Sequence, residues 1–191
     1  MASDRTSAVN ASLLRVAGWS LILAAIVAVI GMVFLALMYA SFAGGVQRDG
    51  ERFGSINDIL VVVQYLLMLP AVVAAYALGR ERWPGRSLAI AISGVVLVAL
   101  IVLLQGLLIG GAMTFEQQIG PLSVMLVLLA VWFVAVGWLF TELGLLRRGI
   151  VLGLVAATYI GFPIWAFLLG RSLRDRASRS ASTLVTNAPA A

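Results

Sequence analysis

The sequence predicts an all-α fold, a polytopic transmembrane bundle of about five spans, and three observations carry that expectation. Of 191 residues, 62% are hydrophobic and 11% charged, and the mean hydropathy is +1.08; a soluble domain carries roughly a quarter charged residues. The charges are clustered, so long apolar runs lie between them, each near the ~20 residues a helix needs to cross the hydrocarbon layer. No run has a charge near its centre. Backbone polar groups in hydrocarbon must be satisfied within the segment, which selects helices, whereas an outer-membrane barrel would show short alternating strands.

The spans are expected at 16–42, 59–78, 88–113, 121–146 and 150–169, after a short polar segment, 1–15, and before an Arg/Ser-rich, disordered tail, 171–191. Ser41 and Ala43 have the small-x-small look of a signal cleavage site, but the first run far exceeds a signal core of roughly 7–15 residues and reads as an uncleaved span. Ser55, three residues before Asp58, has the spacing of a capping box at the start of the second helix. Pro121 fits the first turn of the fourth, where a missing N–H costs nothing. Trp19, Trp83 and Trp138 fall near expected interfaces, where an amphipathic ring is comfortable, and Trp132 and Trp165 lie deeper, as packing residues.

All 13 basic residues are arginine, and their distribution bears on orientation. The connection at 80–86 holds Arg80, Arg82 and Arg86, and the next basic one holds Arg147 and Arg148. The positive-inside rule makes both cytoplasmic, together with Arg5, Arg15 and the N-terminus of a multi-pass protein of a bacterial inner membrane. Five uninterrupted spans then put Arg171, Arg174, Arg176 and Arg179 outside, for a division of seven against six. A fifth run that dips in and returns, helped by Gly161 and Pro163, would instead gather nearly all arginines on one side.

The chemistry is bounded by absences. With no cysteine and no histidine, disulfides, thiolate or imidazole metal sites and the commonest proton shuttle are excluded, and without lysine no Schiff base forms. No paired carboxylates, nucleophile elbow or phosphate-cradling glycine loop is present. The expectation is no catalytic residue, no cofactor, no metal and no nucleic-acid partner. The polar candidates inside the membrane are Gln64, Gln105 and Glu142. Helical rise puts the two amides in the same leaflet, about 10 Å below the outer surface, where they can face and satisfy each other. Glu142, on the last turns of the fourth span, reads first as an ion-pair partner of nearby arginine and second as part of a polar path. Glu116, Gln117 and Gln118 read as an exterior connection.

Packing signals are stronger. Gly149, Gly153, Ala157 and Gly161 recur at i, i+4 and form a small face suited to close helix contact. Ser20, Ala24 and Ala28 make a shorter face, and Gly106 with Gly110 another. The segments 114–121 (TFEQQIGP) and 161–171 (GFPIWAFLLGR) resemble a family of bacterial multi-pass membrane proteins with no assigned activity. The likeness covers the second to fifth helices, with the first departing from it, and implies architecture and a bacterial membrane only. The expected function is a non-catalytic structural or assembly subunit, embedded in lipid and contacting other membrane subunits through small-residue faces. The alternative is a small transporter or channel using Gln64, Gln105 and Glu142, and the third reading a membrane enzyme.

Overall fold

The computed structural model describes residues 2–142, 144 and 166–179, with side chains from residue 11. It is all-helical: α1 (Ala2–Ala43), α2 (Gln47–Leu66), α3 (Leu69–Gly79), α4 (Pro84–Ile109) and α5 (Phe115–Glu142), followed by α6, residues 166–179. Among the described residues, four stretches are long and apolar enough to cross a bilayer: Ala11–Ala43, Gln47–Gly79, Pro84–Ile109 and Phe115–Glu142. This is a multi-pass membrane bundle.

Two antiparallel hairpins build it. In the first, α1 turns into α2 at Gly44 and Gly45; the Val46 N–H reaches the Ser41 carbonyl at 2.9 Å and the Gly45 N–H reaches Phe42 at 3.1 Å. That crossed pair closes the helix end only if the residue between adopts a left-handed conformation, and Gly45 does so, with φ 76°. The same pattern ends α4, where Gly111 has φ 70° and Ala112 N–H bonds the Leu107 carbonyl at 2.9 Å. α5 then starts with a reciprocal capping box: the Thr114 N–H donates to Gln117 Oε1 at 2.9 Å, and the Gln117 N–H to Thr114 Oγ1 at 3.4 Å.

The break between α2 and α3 follows from Pro70. Proline has no N–H to offer the Leu66 carbonyl, and its ring crowds the preceding turn. The Ala71 N–H shortens its reach to Met68 at 3.0 Å, which leaves the Leu67 carbonyl without its helical donor. Ser20 Oγ on α1 donates to that carbonyl, so the Leu67 carbonyl is satisfied within the hydrocarbon. Ser20, Ala24 and Ala28 are buried here, and their small face is used within the chain.

Several expected boundaries are corrected. The segment 1–15 continues α1 as helix from Ala2. The second span begins at Gln47, well before residue 59, and Ser55 is no cap, because its Oγ donates back to the Glu51 carbonyl at 3.0 Å. Pro121 stands inside α5 rather than in its first turn. Residues 171–179 are helical, not tail. The face Gly149, Gly153, Ala157 and Gly161, most of the 150–169 run, and residues 180–191 lie outside the described residues.

α6 corrects the topology as well. A Cβ on Gly18 would stand 2.7 Å from the Gly170 carbonyl oxygen and 3.2 Å from Arg174 N, and a Cβ on Gly170 would stand 2.6 Å from the Gly18 oxygen and 3.0 Å from Ile22. Backbones touch there, which only paired glycines allow. Rising numbers in α6 meet falling numbers in α1, so the two are antiparallel. Arg171, Arg174, Arg176 and Arg179 therefore stand toward the face where α1 begins, and not on the opposite face that five uninterrupted spans require.

Candidate functional site: a polar-lined intramembrane cavity

The two ends of the bundle differ in chemistry. The face where α1 begins, here the arginine face, carries Arg15, the α3–α4 connection with Arg80, Arg82 and Arg86, the end of α5, and the arginines of α6. Tryptophans accompany them: Trp83 and Trp138 stack at 5.7 Å, with Arg82 4.5 Å from the Trp83 ring centre, Arg86 5.6 Å from that of Trp138 and Arg174 4.9 Å from that of Trp19. Guanidinium over indole keeps the cation at headgroup depth while the ring reaches the acyl region. Below this belt the hairpins are tightly packed. Trp132 lies flat against Gly94, whose added Cβ would meet the ring at 2.6 Å, and its Nε1 donates to the Ile90 carbonyl at 2.8 Å.

Toward the other face, where the 44–46 and 110–114 turns lie, the hairpins part. Between them is a cavity of about 440 Å³ whose floor is Leu129 and Phe133 and whose apolar walls include Met32, Leu35, Met38, Leu122 and Leu126. Its polar lining comes from Asn57, Asp58 and Gln64 of α2 and from Gln105 and Gln118 of α4 and α5. Asp58 lies one residue from Asn57, whose Oδ1 is 3.4 Å from the place of a Gly31 Cβ, and Gly31 is near the middle of the α1 apolar run. A carboxylate at that depth is costly unless something answers it, and among the described residues no cation pairs with Asp58.

Gln105 and Gln118 form the best-buried polar pair, with 4% and 1% of their surface exposed. Gln118 Nε2 donates to Gln105 Oε1 and to the Leu104 carbonyl, both at 3.3 Å. A primary amide offers two donors and a carbonyl acceptor. With one side of each amide engaged, Gln105 Nε2 and Gln118 Oε1 have no partner among the described residues, and both residues line the cavity. An unsatisfied buried polar group costs about 1–3 kcal/mol.

The sequence-expected site is rearranged accordingly. Gln64 and Gln105 line one cavity, but the amide partner of Gln105 is Gln118, which is buried rather than part of an exterior connection. Glu142 ends α5 at the arginine face, about 36 Å by helical rise from Gln118, and does not join the two amides. Among the described residues, Gly106 faces no neighbour within 4 Å and Gly110 meets only its own helix, so that expected small face meets no other described helix of this chain. Asp58 reads as a cap in the sequence; the usable signal was an acid with no adjacent basic residue just ahead of an apolar run interrupted only by Gln64. Among the described residues, no cluster of acidic side chains is placed to hold a metal ion. Compared with known protein families, curated proteins and solved structures, the chain matches none.

Proposed function

We propose that this protein is a non-catalytic membrane protein that holds a small amphiphilic molecule between its two hairpins, as a carrier or receptor, and that the arginine face is cytoplasmic. The observation that carries the binding reading is the buried Gln105–Gln118 pair, whose unused donor and acceptor border a largely apolar cavity. Ligand sites are typically concave, mostly apolar and fitted with a few convergent polar groups. The structural-subunit reading draws less support, because the small residues at Gly18, Ser20, Ala24, Ala28 and Gly94 are spent on contacts inside the chain.

α6 supports the orientation. Among the described residues, its arginines share a face with Arg15, Arg80, Arg82 and Arg86, and the opposite face holds Arg48 and Arg52, interleaved with Asp49 and Glu51. For these arginines the positive-inside rule favours a cytoplasmic arginine face. Reporter fusions after Arg86 and after Arg179 are both expected to be active in the cytoplasm, and opposite results at the two positions would refute this orientation. For binding, the full chain is purified in mild detergent and co-purifying small molecules are extracted. A molecule retained by the wild type and lost from Leu126→Trp, which fills the cavity, is expected. Equal retention by both would refute the cavity as the site.

A further inference from the structure

Resting on that cavity reading, we infer that the ligand is an organic cation with an apolar body, and that Asp58 is its counter-ion. Asp58 is the sole ionisable acid among the residues lining the cavity. It sits on α2 beside Asn57, and Asn57, Asp58 and Gln64 all line the cavity from that helix. Among the described residues no arginine answers it: the salt bridge there is Arg171 to Asp175, at the other end of the molecule. The nearest arginine in sequence, Arg52, is more than a turn away toward the 44–46 turn and does not line the cavity.

Three features define what fits. The carboxylate, set in a wall shared with Leu and Met side chains, is complemented by a positive charge, which an anion or a neutral lipid tail does not supply. The free donor and acceptor of the amide pair suit hydrogen-bonding groups on the same ligand, but a quaternary cation without them still satisfies the charge. The apolar remainder, with Met38 toward the mouth, Met32 deeper and Phe133 on the floor, suits a hydrocarbon or aromatic body. Methionine adapts to varied shapes and aromatic faces attract cations.

The test uses two ions of the same shape and opposite charge, tetraphenylphosphonium and tetraphenylborate. The full chain is placed in nanodiscs of zwitterionic lipid and binding is measured by calorimetry. Saturable binding of the phosphonium and none of the borate is expected, and Asp58→Asn should weaken the phosphonium at least about tenfold. Leu126→Trp should abolish it. The wild-type comparison of the two ions needs no variant, so a poorly folding Asp58→Asn leaves the test intact. Equal binding of both ions, blocked by Leu126→Trp, would overturn the charge assignment and leave the cavity reading standing. No binding of the phosphonium, or binding that Leu126→Trp leaves untouched, would overturn the inference; only the second also counts against the cavity as the place where such molecules sit.

Discussion

At Gly18 an added methyl group would stand 2.7 Å from a backbone oxygen of α6, and at Gly94 2.6 Å from the Trp132 ring, whereas at Gly106 and Gly120 it would meet nothing within 4 Å. The first two positions lie toward the arginine face and the last two toward the opposite one. At these four positions the same residue type marks close helix approach toward one end and open space toward the other, while within the first hairpin Gly50 and Gly54 still pack against α1 near the 44–46 turn. Helices in lipid gain little by hiding ordinary apolar side chains from acyl tails, so close approach is what holds them together.

The largest effects should come from breaking the packed end. Gly18→Leu and Gly94→Leu push a side chain into backbone or an indole ring that cannot yield, and each should cost about 3 kcal/mol in unfolding measured in detergent. Gly106→Leu and Gly120→Leu should stay within about 0.5 kcal/mol. Similar losses at all four positions would erase the contrast between the two ends.

Next in size is the amide pair. Gln118→Leu strands the Gln105 amide and should destabilise by about 1–2 kcal/mol. Adding Gln105→Leu should recover part of that loss, because the double variant leaves neither amide alone in an apolar wall. Strictly additive losses would show that the two residues do not depend on each other.

The smallest expected change tests the kink that sets the first hairpin. Ser20→Ala leaves the Leu67 carbonyl without a donor and should cost about 1 kcal/mol. Combining it with Pro70→Ala, which returns an N–H to the helix, should cost less than the sum of the two single changes. An additive pair would mean that Ser20 does not compensate for the break.

Much of the architecture was legible in the sequence, because hydrocarbon allows few solutions: apolar length and the exclusion of charge found the regions that span. Helix ends were harder. Ser55 and Asp58 had cap spacing, yet α2 begins at Gln47, since a helix continues through polar residues when a neighbouring helix packs along it. Here α1 lies alongside, with Gly54 against Met38 and Gly50 against Phe42. Thr114 and Gln117, the true box, looked like loop residues because Pro121 suggested a later start. The site was half legible. Gln64 and Gln105 stood out as amides in apolar runs, but the partner of Gln105 depends on the rotational setting of α5, which hydropathy does not encode. The crossing of Gly18 with Gly170 was equally hidden, because an isolated glycine on each helix forms no repeating pattern.

The central claim, a cavity open at the face of the 44–46 and 110–114 turns and sealed toward the arginine face, is tested most directly by single-cysteine labelling. The chain has no native cysteine, so each introduced thiol reports alone. Ser123→Cys lines the cavity, and Val127→Cys, at a position 66% exposed on the outer surface of α5, serves as the lipid-facing control. The account predicts that a membrane-impermeant maleimide modifies Ser123→Cys when added at the turn side and not when added at the arginine side, while Val127→Cys stays unmodified from both. Modification of Ser123→Cys from the arginine side, or its protection from both sides, would contradict it.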